Sequence, residues 1–232
     1  MALTPEYLYL ERNLSEEDIN KIYELIELGE EIDGLGTVSG DIVMFAKTKS
    51  NTEIVLPYDE RRILNNIIFE TIDTHTDFFD FTIPTQSCPP ILSRMNVGDF
   101  YKPHQDMFHN GDFSTTFFLS DPDTYEGGEL CLWINNEEKR FKPPQGSSVT
   151  YKTGTPHRVN PVTKGTRDAA IFWTHSLLKD PFLIEIFQGL NKIKKSYPYE
   201  VSDTIDEALS HPGFIAENLI QLIWRNNYKH TK

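Results

Sequence analysis

Cysteine is scarce: the 232 residues include only Cys88 and Cys131. The two are not in a C-x-x-C arrangement, and two unpaired buried thiols in a reducing cytoplasm are expected rather than a disulfide. Cations are also in short supply. Lys and Arg total 22 against 35 Asp and Glu, for a net charge of -13, and such a chain repels a phosphate backbone, which argues against nucleic acid as a partner. No apolar run approaches the ~18 residues that a membrane span requires; the longest are stretches such as Ile42–Ala46 and Ala169–Trp173. The start, Met1-Ala2-Leu3-Thr4-Pro5-Glu6, has neither the basic nor the apolar segment of a secretory leader. A soluble, cytoplasmic protein without membrane partners is expected, with enough chain to bury a core unaided.

Helical spacing is visible at both ends. Ser15 precedes Glu16-Glu17-Asp18, and Ile19, Ile22, Tyr23 and Ile26 then recur on one face, with Leu14 placed to staple against Ile19. A Gly-rich stretch, 34–40, and the apolar run Ile42–Ala46 separate this helix from a second near Asp59, which would bury Leu64, Ile67, Ile68 and Ile72. After residue 180, Asp180-Pro181 reads as an N-cap followed by proline at the first helical position, with Leu183, Phe187 and Leu190 on one face. His211-Pro212 opens a last helix expected to bury Ile215, Leu219, Leu222 and Ile223. These C-terminal helices would suit a homodimer contact or a cap.

Between the helical ends, short runs of alternating Phe, Val, Thr and Tyr predict strands near 91–96, 100–107, 113–119, 129–134, 147–151, 157–162 and 168–176. No helical crossover separates them, so the expected architecture is α+β with a mainly β core, a jelly roll flanked by N- and C-terminal helices. The division expected along the chain is a support region of helix and strand, 1–85, a core, 86–177, and a helical extension, 178–232.

The chemistry concentrates in His104-Gln105-Asp106. On a strand, residues i and i+2 share a face, so imidazole and carboxylate would converge. Alone, H-x-D is as readily a surface pair. His157, opening another predicted strand, completes two histidines and one carboxylate, a set that leaves positions open on iron. Arg167 follows ten residues later. With 162–165 read as a turn, Arg167 is expected on the strand beside that of His157, where a guanidinium would grip the far carboxylate of a metal-chelating ligand. An ordinary salt bridge is the competing role. His109 is expected on a loop and His175 in a hydrogen-bonded core position. No Gly-x-Ser-x-Gly is present, and Gly127-Gly128 reads as a turn.

Four blocks in order, Met95-x-x-Gly98-x-x-Tyr101-x-x-His104-x-Asp106, Leu119-Ser120-Asp121-Pro122-Asp123-x-Tyr125-Glu126-Gly127-Gly128-Glu129-Leu130, His157-Arg158-Val159-x-Pro161 through Arg167, and Phe172-Trp173, resemble the Fe(II)- and 2-oxoglutarate-dependent dioxygenases. The resemblance is to the PKHX-type hydroxylases, a PiuC-like branch related to prolyl 4-hydroxylases. It implies a double-stranded β-helix that holds Fe(II) through His104, Asp106 and His157, binds 2-oxoglutarate through Arg167, and uses O2 to hydroxylate a C–H bond, with ascorbate as a further candidate cofactor. Relatives commonly carry Tyr where this chain has Met95. Methionine cannot donate a hydrogen bond, so either Arg167 and a hydroxyl such as Thr116 compensate or the affinity for the co-substrate is lower. Tyr101 and Trp173 are expected along the substrate channel. The substrate expected is a prolyl residue in a peptide or a proline-like small molecule. A non-catalytic, cupin-like metal-binding jelly roll is the alternative, and a Zn2+ hydrolase on the same ligands would leave Arg167 without a task.

Overall fold

The computed structural model describes residues 5–37, 48–107, 109–199 and 204–228. The apolar run Ile42–Ala46 and most of the Gly-rich stretch before it lie outside the described residues. Local rules account for the first helix, α1 (Glu16–Ile26). The Ser15 hydroxyl accepts from the Asp18 N–H, while the Asp18 carboxylate accepts from the Ser15 N–H, a closed capping box at the positive end of the helix dipole. Leu14 and Ile19 pack in one cluster, as the staple requires.

Two antiparallel sheets form the centre of the molecule. The larger, eight-stranded one runs β1 (Tyr7–Leu10), β12 (Ser148–Lys152), β8 (Phe113–Phe118), β15 (Arg167–Ser176), β6 (Ile91–Met95), β4 (Thr52–Val55) and β2 (Glu30–Asp33), with β5 (Pro84–Ser87) also on β15. The five-stranded one runs β11 (Glu137–Phe141), β10 (Leu130–Ile134), β13 (His157–Val159), β7 (Phe100–His104) and β3 (Lys49–Ser50). A small ribbon pairs β14 (Val162–Lys164) with β9 (Glu126–Gly127). All seven expected strands are present. The first 85 residues, expected to hold helix and strand without any strand being located, supply β1, β2 and β4 to the same sheet as the core, because β1 pairs with β12 and β4 with β6.

The sheets pack face to face. Met95, Phe118, Val149 and Tyr151 of the large sheet meet Leu130, Leu132, Ile134 and Val159 of the small one in a single cluster. The other face of the large sheet is covered by α1 and α2 (Tyr58–Asp73), whose Ile22, Leu25, Leu64, Ile68 and Ile72 bury against Leu92, Phe117, Ala170 and Phe172. The expected face of α2 is therefore the observed one. A third cluster joins α3 (Thr76–Thr82), with Phe81 and the adjoining Ile83, to Phe113 and to α4 (Pro181–Ser196) and α6 (Pro212–Tyr228); a short α5 (Ile205–Ser210) precedes α6.

The face expected for α6 is wrong. Ile215, Leu219 and Leu222 are 43%, 42% and 53% exposed, while Ala216 and Ile220 are buried and Ile223 and Trp224 are partly covered. The helix is turned by about one residue, near 100°, because the Trp224 ring stacks on Phe79 at 6.0 Å and Ala216 supplies the buried contact. Ile215, Leu219 and Leu222 thus form an outward row.

The second correction concerns the stretch after His157. Instead of one strand over 157–162 and a turn, the chain breaks at Asn160-Pro161, and 162–164 form β14. Gly127, at φ 74, lets this ribbon close: a Cβ there would stand 2.0 Å from the Pro161 carbonyl oxygen. The crossing delivers Arg167 to the opposite sheet.

Ile68 is fully buried and belongs to the helix layer, away from the sheet-to-sheet interface. Ile68→Ala is expected to lower unfolding free energy by about 2–5 kcal/mol in denaturant titration, with metal binding by the folded fraction unchanged.

Candidate metal and carboxylate site

His104 ends β7 and His157 opens β13, and the two residues are direct cross-strand partners. Their rings tilt together with centroids 4.1 Å apart. Each Nδ1 faces a backbone carbonyl, Lys102 O at 2.8 Å and Thr155 O at 2.9 Å. A carbonyl only accepts, so each Nδ1 carries the proton and each Nε2 presents a lone pair. Asp106 Oδ1 lies 3.7 Å from His104 Nε2 and 3.8 Å from His157 Nε2. These three atoms lie within 4.8 Å of one another, the one such cluster among the described residues. The donor set, two neutral imidazole nitrogens and one carboxylate oxygen, suits a divalent transition metal with open positions. Burial, then the neighbouring His157, pushes His104 down to about 4, so its ring stays neutral at neutral pH.

The strand that carries His104 is shorter than expected. β7 stops at His104 and Asp106 follows in an irregular segment, so pleat alternation does not place the carboxylate. Alternation fails on the other side as well: the register between β7 and β13 shifts, matching His157 to His104 but Val159 to Tyr101. This bulge brings residues 101 and 104, three apart, to one face. Tyr101 stacks on His104 with centroids 3.5 Å apart. Burial, then the charge of Asp106, pushes the Tyr101 hydroxyl up to about 12.

Arg167 begins β15, across from Met95 on β6, and is 1% exposed. It is not on a strand beside that of His157; it faces the small sheet from the large one. Its neighbour Asp168 does not neutralise it, because the pleat turns Asp168 to the other face, where Arg94 holds it with bonds of 2.9 and 3.1 Å. The guanidinium lies over the Phe118 ring at 5.5 Å and senses the Tyr125 phenol nearby. Nε and Nη1 have no partner. Burial pushes the guanidinium pKa down from its usual value. An unpaired, desolvated cation with two free donors is a receptor for a carboxylate, and this orphaned pair of N–H groups fits the far end of a dicarboxylate. Gly128, at φ 68, makes room: a Cβ there would stand 3.0 Å from Arg167 Cδ.

Tyr151 connects the two halves. It is fully enclosed, its ring centroid is 5.2 Å from that of His157, and it senses the charges of both Asp106 and Arg167. Burial raises the hydroxyls of Tyr151 and Tyr125 above their usual value, so both remain O–H donors. Thr116 lies on the inner face of β8, on the side of the Tyr151 phenol. Met95 is buried opposite Arg167. Neither tyrosine was singled out in the sequence; Tyr125 stood in a quoted block, and nothing but parity with Val149 on β12 marked Tyr151. Trp173, half-buried, donates from its Nε1 to Asp106 Oδ2 at 3.0 Å, which places it beside the triad. His109 is exposed, and His175 lies 3.9 Å from Asp112, apart from the triad.

Residues 90–175 match the sequence profile of the 2OG-Fe(II) oxygenase superfamily. A PKHD-type hydroxylase of Thermosynechococcus vestitus is 32% identical over 208 residues, which cover 86% of this chain and 91% of that relative. The chain belongs to the PKHD-type hydroxylases. Another from Delftia acidovorans is 30% identical, covering 90% of this chain and 95% of the relative. Among solved structures, a Trichoplax adhaerens prolyl hydroxylase in complex with a hypoxia inducible factor oxygen degradation domain peptide superposes with a TM-score of 0.59. It is 14% identical over 76% of this chain and 88% of that one, and shows the shared fold. The hydroxylase is thus a 2-oxoglutarate-dependent oxidoreductase, and its family implies Fe(II), 2-oxoglutarate and O2. No helix among its described residues is long and apolar enough to cross a membrane.

A buried unpaired cation costs stability in the ligand-free protein. Arg167→Met is therefore expected to leave the denaturant midpoint unchanged or to raise stability by up to about 2 kcal/mol, measured without added carboxylates. An arginine placed for structure alone would show the reverse.

Proposed function

We propose that the enzyme hydroxylates a C–H bond of a prolyl residue in a peptide, or of a proline-like small molecule, at a metal held by His104, Asp106 and His157, with 2-oxoglutarate anchored by Arg167. The observation that carries this reading is the pairing of a three-donor cluster with an unpartnered, fully buried guanidinium inside one two-sheet interior. The two sheets correspond in this reading to a double-stranded β-helix, residues 86–177 to its catalytic core, 1–85 to the support and 178–232 to the extension. When bound, iron with 2-oxoglutarate and O2 would supply the oxidising power, with the co-substrate leaving as succinate and CO2, one oxygen atom of O2 in succinate and the other in the new hydroxyl.

The work left to the chain is binding and exclusion of water. The two Nδ1–H bonds keep both Nε2 lone pairs aimed at one point. Arg167 sets the length of dicarboxylate that fits, because its guanidinium is fully buried over the Phe118 ring and its stem is packed against Gly128. Thr116 and the Tyr151 and Tyr125 hydroxyls supply the hydrogen bonds that Met95 cannot. Tyr101 covers one side of His104 and lines the approach for substrate. The peptide bound by the Trichoplax structure supports a prolyl substrate.

Replacing His104, Asp106 or His157 by Ala is expected to abolish succinate formation from 2-oxoglutarate while leaving the circular dichroism spectrum unchanged; full turnover in any of the three would exclude the triad. A panel of prolyl peptides and free proline analogues, scored by succinate release and a mass gain of one oxygen, tests the substrate class.

Arg167→Met is expected to weaken 2-oxoglutarate binding about 30-fold or more, the equivalent of roughly 2–5 kcal/mol for a buried charge pair. Lysine keeps charge but not the fork, so Arg167→Lys should fall between. Calorimetric titration of 2-oxoglutarate into the Mn(II)-loaded protein reads both, and wild-type affinity in Arg167→Met would remove Arg167 from the pocket.

A further inference from the structure

Asp106 is oriented by the opposite sheet. The segment carrying it has left β7, and its Oδ2 accepts from Ser114 Oγ on β8 at 2.9 Å and from Trp173 Nε1 on β15 at 3.0 Å. Ser114 and Trp173 are direct cross-strand partners, so the two donors converge on the oxygen from adjacent strands. Behind them, Thr153 Oγ1 lies 3.2 Å from Ser114 Oγ, and both hydroxyl residues are buried. Ser114 Oγ is the donor in both contacts, and its one proton goes to the shorter, 2.9 Å to the carboxylate against 3.2 Å to Thr153, since an ionised carboxylate only accepts. The indole N–H has no other role available, being a donor only. Two donors saturate the two lone-pair directions of Oδ2. Oδ1 receives neither and faces both imidazole Nε2 atoms.

We infer that Ser114 and Trp173 are positioning residues that restrict Asp106 to one-oxygen ligation. The inference rests on the metal-site reading above. Its functional consequence is a matter of counting positions. Two imidazoles and one carboxylate oxygen leave three places on a six-coordinate ion, enough for a two-toothed co-substrate and dioxygen. A carboxylate free to turn about Cβ–Cγ would offer both oxygens and occupy one of those places. The hydrogen bonds to Oδ2 thus protect the position that the reaction needs, and Trp173 belongs to the metal site.

Mn(II) alone is the probe, with water-proton relaxation reporting the number of metal-bound waters and electron paramagnetic resonance reporting occupancy. Wild type, Trp173→Phe, Ser114→Ala and the double variant are compared at full occupancy. The expected result is a fall of about one third in inner-sphere relaxivity per bound Mn(II) in the double variant, from three waters to two, with smaller falls in the single variants. A loss of packing alone would not change this count. Unchanged relaxivity in the double variant, with Mn(II) bound, overturns the inference and leaves the triad standing. Failure of wild type to bind Mn(II), or retention of binding by Asp106→Ala, overturns the metal-site reading instead. A second measurement needs no variant to fold: in wild type loaded with diamagnetic Zn(II), the Trp173 indole N–H is expected to exchange slowly with solvent, and rapid exchange comparable with that of the other two indoles overturns the inference.

Discussion

The candidate site exists only where two sheets press together, because neither sheet carries enough of it. The small sheet contributes His104 and His157 as a cross-strand pair. The large sheet contributes Arg167, Thr116 and Tyr151, and it holds Asp106 through Ser114 and Trp173. Apolar contact among Met95, Phe118, Leu132, Val149 and Val159 keeps the faces together. Hydrophobic burial is non-directional. The precision comes from hydrogen bonds laid over it, which choose one oxygen of Asp106 and one nitrogen of each imidazole.

The polar groups of this interior differ in how well they are satisfied, and the differences mark the chemistry. Asp168, next to Arg167 in sequence, is fully paired with Arg94 on the outer face. Thr115 and Thr150 satisfy each other across β8 and β12. Arg167 keeps two unpartnered donors in a fully buried place. Buried polar groups are ordinarily satisfied, so the exception stands out from a background of satisfied neighbours. The enclosure of Tyr125 and Tyr151 has a related effect: desolvation holds both phenols in the protonated, donating form.

Much of the plan was legible along the chain. The capping box at Ser15, the proline-started helix after Asp180 and the seven central strands follow from short-range rules, since caps and pleats are set by neighbours within a few residues. The strands β1, β2 and β4 were not legible, because each is four residues long and their pairing depends on partners far along the chain. The face of α6 was misread because Ile215, Leu219 and Leu222 share a helical period that fits a buried stripe. Periodicity gives the spacing of a stripe, while Trp224 on Phe79 decided which way the helix is turned.

The sequence by itself determined the chemical kinds present and their order: a H-x-D pair, a distant histidine and an arginine ten residues beyond it, on short strands with helices at either end. That order suffices for an open metal site, since ligand type and donor number are properties of side chains, while the reaction class was legible only through the resemblance of four sequence blocks to a known family. Tertiary structure alone decided that Arg167 faces His157 across the sandwich rather than beside it, and that a bulge puts Tyr101 against His104. It also turned Trp173 toward Asp106 and left Arg167 unpaired. The physical reason is that a strand's pleat specifies two faces but not which partner each face meets. That choice belongs to the crossing at Asn160-Pro161 and to the packing of one sheet upon the other.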